Sequence, residues 1–260
     1  MNRVALVTGA ARGIGAATAC LLASEGWNVV AVDICADDPA LPYSLGTRAA
    51  LDAVAGKAPD RISAIVADVR DVEALRRAAR EAEQRFGGLD AAIACAGVIA
   101  GGTPHQDVTL DAEQAVLDVN LRGVLNLARV AVPTLLRRPA PRNGRIVAVA
   151  SAAASRGLPM LTAYCAAKAG VTGAVRALAA ELASSGITVN AVSPGSTQTP
   201  ILAQTAKLYG LEDHAQFATQ QPLGRLVQPA EVAAVLAFLA SEQAAAVTGA
   251  VVPVDGGMAL

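Results

Sequence analysis

In "YCAAK", Tyr164 and Lys168 stand four residues apart, and on a helix that spacing puts both side chains on one face. The pairing suits proton transfer. A free phenol gives up its proton only near pH ~10, and a neighbouring ammonium favours the phenolate and brings that value down. Ser151 ends the apolar run "VAVAS", thirteen residues before the tyrosine. Its hydroxyl can hold an oxygen from which Tyr164 removes a proton. Taken singly, such a Tyr–Lys pair is often only a solvated helix face, and such a serine only a strand-end cap. Together they describe a site that deprotonates an alcohol.

A second group supplies a partner for that chemistry. "LVTGAARGIG" sets Gly9, Gly13 and Gly15, with Arg12 and Ile14 between them, after a strand-like run and at the start of a helical one. Glycines there permit a tight turn and let the backbone approach a pyrophosphate, which the free N–H groups of a helix N-terminus stabilise. The spacing is G-x-x-x-G-x-G, and the signal gains weight because Asp33 ends the next apolar run. A carboxylate at that point accepts hydrogen bonds from the adenosine ribose and repels a 2′-phosphate, which favours NAD over NADP. Arg12 argues the other way, since a guanidinium can bind that phosphate, but it can equally lie along the surface. Asp33 carries the greater weight. Asp68, at the end of "IVAD", can meet the adenine edge or cap the following turn. With a nicotinamide to accept hydride, the Tyr164 group becomes a site that interconverts an alcohol and a ketone.

The elements that must position these residues alternate regularly. Strand-like runs fall at 3–8, 28–32, 62–67, 91–95, 144–150, 188–192 and 250–254. Several are continuous hydrophobic runs, as in parallel strands buried on both faces. Helical patterns cover 13–25, 47–58, 71–86, 110–136, 164–184 and 229–239, with Asp71 and Pro229 as starts and Gly87–Gly88 as a stop. The alternation predicts one α/β domain over residues 1–260, a Rossmann-type doubly wound parallel sheet flanked by helices. Two stretches break the rhythm. Residues 33–47 are long for a strand–helix turn. Residues 196–226, with short helices around 201–209 and 213–220, read as a substrate lid or as a plain surface excursion.

Composition narrows the classes. Hydrophobic residues make up 53% of the 260 and the formal net charge is −1, so a large aliphatic core is expected, with no electrostatic footprint for nucleic acid or an anionic membrane. Cys20, Cys35, Cys95 and Cys165 are scattered, and His105 and His214 lie far apart, so neither disulfides nor a metal site is expected. The first strand-like run begins at residue 3, which leaves no room for a signal peptide, and no apolar run reaches spanning length. A cytoplasmic protein is expected.

The chain resembles the short-chain dehydrogenase/reductase family over essentially its whole length, through "TGAARGIG", "ADV", "ACAG", "DVNLRG", the Ser151/Tyr164/Lys168 set, "NAVSPGSTQT" and "VTGAVVPVDGG". The resemblance implies a seven-stranded parallel sheet and a homotetramer built through the helices at 110–136 and 164–184. It adds Asn120 to the catalytic set, holding a water that links Lys168 to solvent, and has Lys168 also bind the nicotinamide ribose. Val69 and Gly97 join the cofactor residues through "ADV" and "ACAG". Pro194, Gly195, Thr197 and Thr199 would form the carboxamide site. One position departs from the family: its usual Asn-Ala-Gly after the fourth strand reads Cys95-Ala96-Gly97 here. Cysteine is the weaker hydrogen-bonding partner, so local stability should change more than chemistry.

Within the family, "VDICADDPALPYSLGT" resembles the insertion of mycofactocin-associated dehydrogenases, nicotinoproteins whose NAD stays bound between turnovers while a peptide-derived redox cofactor, mycofactocin, carries electrons away. The insertion starts at the ribose acid, its two prolines stiffen it, and Leu41, Tyr43 and Leu45 can anchor it over the nucleotide. It is therefore expected to be a clasp on NAD. Ala153, Leu158, Met160 and residues 202–209 are the expected substrate contacts, mostly apolar, for a small hydrophobic secondary or cyclic alcohol or its ketone. The competing expectations are a reductase with exchangeable NAD(P)H, acting on 3-oxoacyl thioesters or other carbonyls, and a non-catalytic NAD-binding sensor. The complete Asn120/Ser151/Tyr164/Lys168 set argues against the sensor.

Overall fold

The structure, a computed structural model, describes residues 2–260. Seven strands form one wholly parallel sheet: β1 (Val4–Thr8), β2 (Asn28–Asp33), β3 (Ile62–Val66), β4 (Ala91–Ala94), β5 (Gly144–Val149), β6 (Ile187–Pro194) and β7 (Val251–Val254). Their order across the sheet is β3-β2-β1-β4-β5-β6-β7. The chain therefore reverses its direction of winding between β1 and β4, and it is there that open α/β sheets leave a crevice at the strand ends.

Strand alternation assigns the two faces. Val4 and Leu6 of β1 join one buried cluster, Ala5 and Val7 the other. The first cluster is covered by α3 (Val72–Phe86), α4 (Leu110–Leu117), α5 (Gly123–Leu136) and α6 (Thr162–Leu182), and the second by α1 (Gly13–Ser24), α2 (Arg48–Ala55) and α8 (Pro229–Ala240). The helix ends follow local chemistry. The Asp71 carboxylate accepts from the N–H groups of Glu73 and Ala74, and Gly87, at φ 84°, ends α3 in the left-handed conformation.

The helix expected over 110–136 is broken. Between α4 and α5 the residues Asp118–Arg122 form one π-helical turn, and Asn120 lies inside it. The buried Asn120 side chain explains the break: its amide donates to the carbonyls of Val98 and Val116 at 2.9 and 2.8 Å, and its oxygen accepts from the Val98 N–H at 3.2 Å. An extra residue in the turn swings it inward, a common use of π-bulges.

The two irregular stretches are ordered in different ways. In the insertion, Leu41 and Leu45 are buried in the first main cluster, with Tyr43 packed against it. Residues beyond β6 instead build a third cluster of their own, with Leu202 and Ala206 from α7 (Pro200–Leu208) against Phe217 and Leu226. The base of this excursion is pinned where Thr197 bridges Val227. No helix among the described residues is long and apolar enough to cross a membrane.

Candidate active site

At the carboxyl ends of the strands lies a cavity of about 660 Å³. Gly9, Arg12, Gly13, Ile14, Gly15, Asp33, Asp68, Val69 and Gly97 line one end of the set predicted from sequence, and Asn120, Ser151, Tyr164, Lys168, Pro194, Gly195, Thr197 and Thr199 the other. The fold brings all of them to this one cavity.

The glycine end is built for an anion. Helix α1 begins behind Arg12 with no side-chain cap and no acid in its first turn, so its N–H groups face the cavity without a protein anion. Gly9 has φ 67°, and a Cβ there would meet the Ala96 backbone at 2.7 Å, so only glycine allows this close crossing of β1 and β4. Asp33 is buried at the end of β2; its Oδ2 accepts from the Ala11 N–H at 2.9 Å and its Oδ1 from the Cys35 N–H at 3.3 Å. A carboxylate has about four acceptor sites, so capacity remains for ribose hydroxyls. These features fit a dinucleotide such as NAD.

Two cations near this end make hydrogen bonds within the protein. Arg12 Nη1 donates to the Ser44 carbonyl at 3.0 Å, tying the glycine loop to the insertion. Asp68 is engaged by Arg70, whose backbone N–H and Nε both donate to it at 2.8 Å. Asp68 thus turns the chain before α3 and still borders the cavity; Arg70 and Asp38, also on its wall, were not picked out by sequence reasoning because they carry no strand or helix periodicity.

At the other end, Tyr164 and Lys168 do share one face of α6, with the ammonium 5.8 Å from the tyrosine ring centroid. Lys168 Nζ donates to the Val149 carbonyl at 2.8 Å, and the Ser151 hydroxyl accepts from the Ala153 N–H at 3.1 Å beside Tyr164. The electrostatics differ from the simple expectation in one respect. Burial raises the Tyr164 pKa above the usual phenol value, outweighing the influence of the Ser151 hydroxyl, which lowers it. Burial likewise lowers Lys168 to about 8, with a smaller opposing effect of Cys95. Desolvation acts against both charges, and neither residue contributes to the shift of the other.

Cys95 also lines the cavity, with its thiol pushed up to about 12 by burial, against a smaller opposing effect of the Thr18 hydroxyl. The link between neighbouring strand ends falls to Thr8, whose hydroxyl accepts from the Ala96 N–H at 3.3 Å. On the substrate side, Ala153, Leu158, Leu202, Thr205 and Tyr209 line the wall together with Ile201, Phe217 and Met258. Met160 does not. Its φ of 59° turns it out of the cavity wall to 36% exposure, while its carbonyl accepts from the Gly102 N–H.

Comparison with known proteins agrees with this geometry. Residues 9–259 match the family described as enoyl-(acyl carrier protein) reductase. A cis-4-hydroxycyclohexanecarboxylate dehydrogenase of Sinomonas cyclohexanicum is 40% identical, over 98% of this chain and 96% of that protein. A 3-oxoacyl-[acyl-carrier-protein] reductase of Thermotoga maritima is 37% identical, over 100% and 98%. The crystal structure of a carveol dehydrogenase from Mycobacterium avium in complex with NAD superposes with a TM-score of 0.92 at 35% identity, covering 98% of this chain and 97% of that one. The chain belongs to the short-chain dehydrogenase/reductase family, and it is an oxidoreductase.

Proposed function

We propose that this protein is an NAD-dependent dehydrogenase of small hydrophobic secondary or cyclic alcohols, working as a cytoplasmic homotetramer, and that it keeps its NAD between turnovers. The observation that carries the chemistry is one cavity shared by the uncapped end of α1, Asp33 and the Ser151/Tyr164/Lys168 group. NAD, when bound, supplies the hydride acceptor. Gly9, Gly13 and Gly15, with the N-terminus of α1, would hold its pyrophosphate; Asp33 its adenosine ribose; Pro194, Gly195, Thr197 and Thr199 its carboxamide. Arg70 is occupied by Asp38 and Asp68, which supports NAD over NADP because that guanidinium is not free for a 2′-phosphate.

The protein side of the reaction then follows. Ser151 holds the alcohol oxygen and Tyr164 takes its proton. Lys168 steadies the phenolate and passes the proton toward solvent. Both amide protons of Asn120 are engaged by Val98 and Val116, and its oxygen, which accepts from Val98, keeps one acceptor site for a water serving that relay. The raised Tyr164 pKa favours the protonated phenol, the form that donates to a ketone, and opposes the phenolate that oxidation uses. Apolar Ile201, Leu202, Phe217 and Met258 favour a hydrocarbon ring, and relatives acting on cyclic substrates support the same class.

Retention of NAD rests on the insertion. Tyr43 accepts from the Ile99 N–H at 2.9 Å, Leu41 and Leu45 are buried, and Gly46 lets the returning chain press on Asp33, where a Cβ would meet Oδ1 at 2.5 Å. Mycofactocin is the acceptor we assign to the held cofactor. The relative from Thermotoga maritima favours a second reading, a 3-oxoacyl thioester reductase with exchangeable cofactor; the two part at cofactor retention. The test of the chemistry is Tyr164→Phe on a panel of cyclic alcohols. Turnover should fall by about a thousandfold, with bound nucleotide unchanged; full activity in this variant would refute the mechanism.

A further inference from the structure

We propose that Arg70 is the latch of the cofactor clasp: its guanidinium joins the insertion to the β3–α3 turn across the adenosine end of the cavity, and NAD leaves when that junction opens. The proposal rests on the reading that this cavity binds NAD. Arg70 Nη1 donates to Asp38 Oδ2 at 2.7 Å, while Nε and Nη2 reach Asp68 Oδ2 at 2.8 and 2.7 Å. Asp38 belongs to the insertion and Asp68 to the end of the third strand–helix unit, so one side chain spans two separate segments of the wall. All three residues line the cavity.

The geometry fixes both ends of the bridge. Asp38 is only 6% exposed, and its second oxygen accepts from the Ala40 N–H at 2.9 Å, which orients the carboxylate toward Arg70. Asp68 Oδ1 accepts from the Arg70 N–H, so the guanidinium starts from a turn that is itself hydrogen-bonded. A planar guanidinium meeting acceptors on two sides is a directional tie and not a diffuse attraction.

The other attachments of the insertion are of a different kind. Leu41, Leu45 and Tyr43 pack into the main core, and withdrawing them would expose apolar surface. Arg12 reaches Ser44 from an exposed position. Arg70 is one-third exposed, and releasing it transfers charged groups to water, which solvates them well. Of the polar ties, Arg70 is the strong one, and once it is released the insertion pivots on its buried leucines and tyrosine.

The experiment measures release of bound NAD after rapid dilution, with the nucleotide quantified directly by chromatography. Arg70→Ala and Asp38→Asn should each speed release by about tenfold, the value of one charge-assisted hydrogen bond, and Arg70→Lys by less. The double variant should be no faster than either single one, because both remove the same tie. Added salt should speed release from the wild type and leave Arg70→Ala unchanged. Wild-type release rates in the single variants, or additive effects in the double one, would overturn the proposal. Should wild-type NAD exchange as freely as in an ordinary reductase, the retention reading fails, and the ratio of variant to wild-type release still decides the latch. Unaltered thermal unfolding of Asp38→Asn separates loss of the latch from loss of the fold.

Discussion

The insertion after β2 and the excursion after β6 border opposite ends of the same cavity, yet they are secured by opposite means. The insertion sends Leu41 and Leu45 into the main hydrophobic cluster and adds polar ties through Tyr43, Arg12 and Arg70. The excursion keeps its apolar residues to itself: Leu202, Ala206, Phe217 and Leu226 form a small separate cluster, with Tyr209 edge-on to Phe217 at 6.2 Å between ring centroids. An element tied into the main core moves only at the cost of exposing core surface. An element with a private core can shift as a body without exposing the main one, and here its base is the bridge between Thr197 and Val227. The two ends of the cavity thus differ in how firmly their covering segments are joined to the main core.

That contrast can be broken at either side. Removing residues 37–44 should raise the NAD release rate by about a hundredfold, equal to some two buried contacts, while Tyr164 still supports turnover on added NAD. Unchanged retention in this deletion would reduce the insertion to a surface loop. Phe217→Ala empties part of the private cluster. It should lower kcat/KM for cyclic alcohols by about tenfold through poorer closure, with NAD retention and global unfolding nearly unaltered. A large loss of bound NAD in Phe217→Ala would mean that the two regions are mechanically one.

The smallest effect lies at the floor between them. Lys168 is buried and lowered to about 8 from its ordinary 10.5. Below pH 8 it is charged in both folded and unfolded chains, so the cost of burying the charge is fully present. Between about 8 and 10.5 the unfolded chain binds the extra proton, and stability rises with pH. Lys168→Met should thus stabilise the ligand-free protein at neutral pH by about 1 kcal/mol, net of the lost bond to Val149. Thermal unfolding followed across pH should show the gap closing as pH approaches 10.5. A gap that is constant with pH would place the effect elsewhere.

The sheet was legible because buried parallel strands are written as unbroken apolar runs; β1 and β2 lie within a residue of their expected ends. Tyr164, Lys168 and Ser151 were legible because helix spacing and strand ends turn residue types into positions. The π-turn was not. The apolar pattern over 110–136 runs on through it, and only the inward pull of one asparagine on Val98 breaks the helix. Met160 is expected at the pocket, whereas a left-handed backbone turns it away, and nothing in the apolar pattern signals that turn. The direction of the Tyr164 shift is hidden for a related reason: spacing shows that an ammonium is near, but not how much water has been removed. Asp38 and Arg70 lie in turns, where periodicity carries no information and only the folded chain brings them together.

Retention of NAD at the insertion end of the cavity is decided by purifying the protein without added cofactor, then denaturing it and identifying whatever is released. Close to one NAD per chain should survive extensive gel filtration, reducible in place by an alcohol substrate through Tyr164. Protein that emerges free of nucleotide, and that turns over repeatedly once NAD⁺ is supplied, would contradict it.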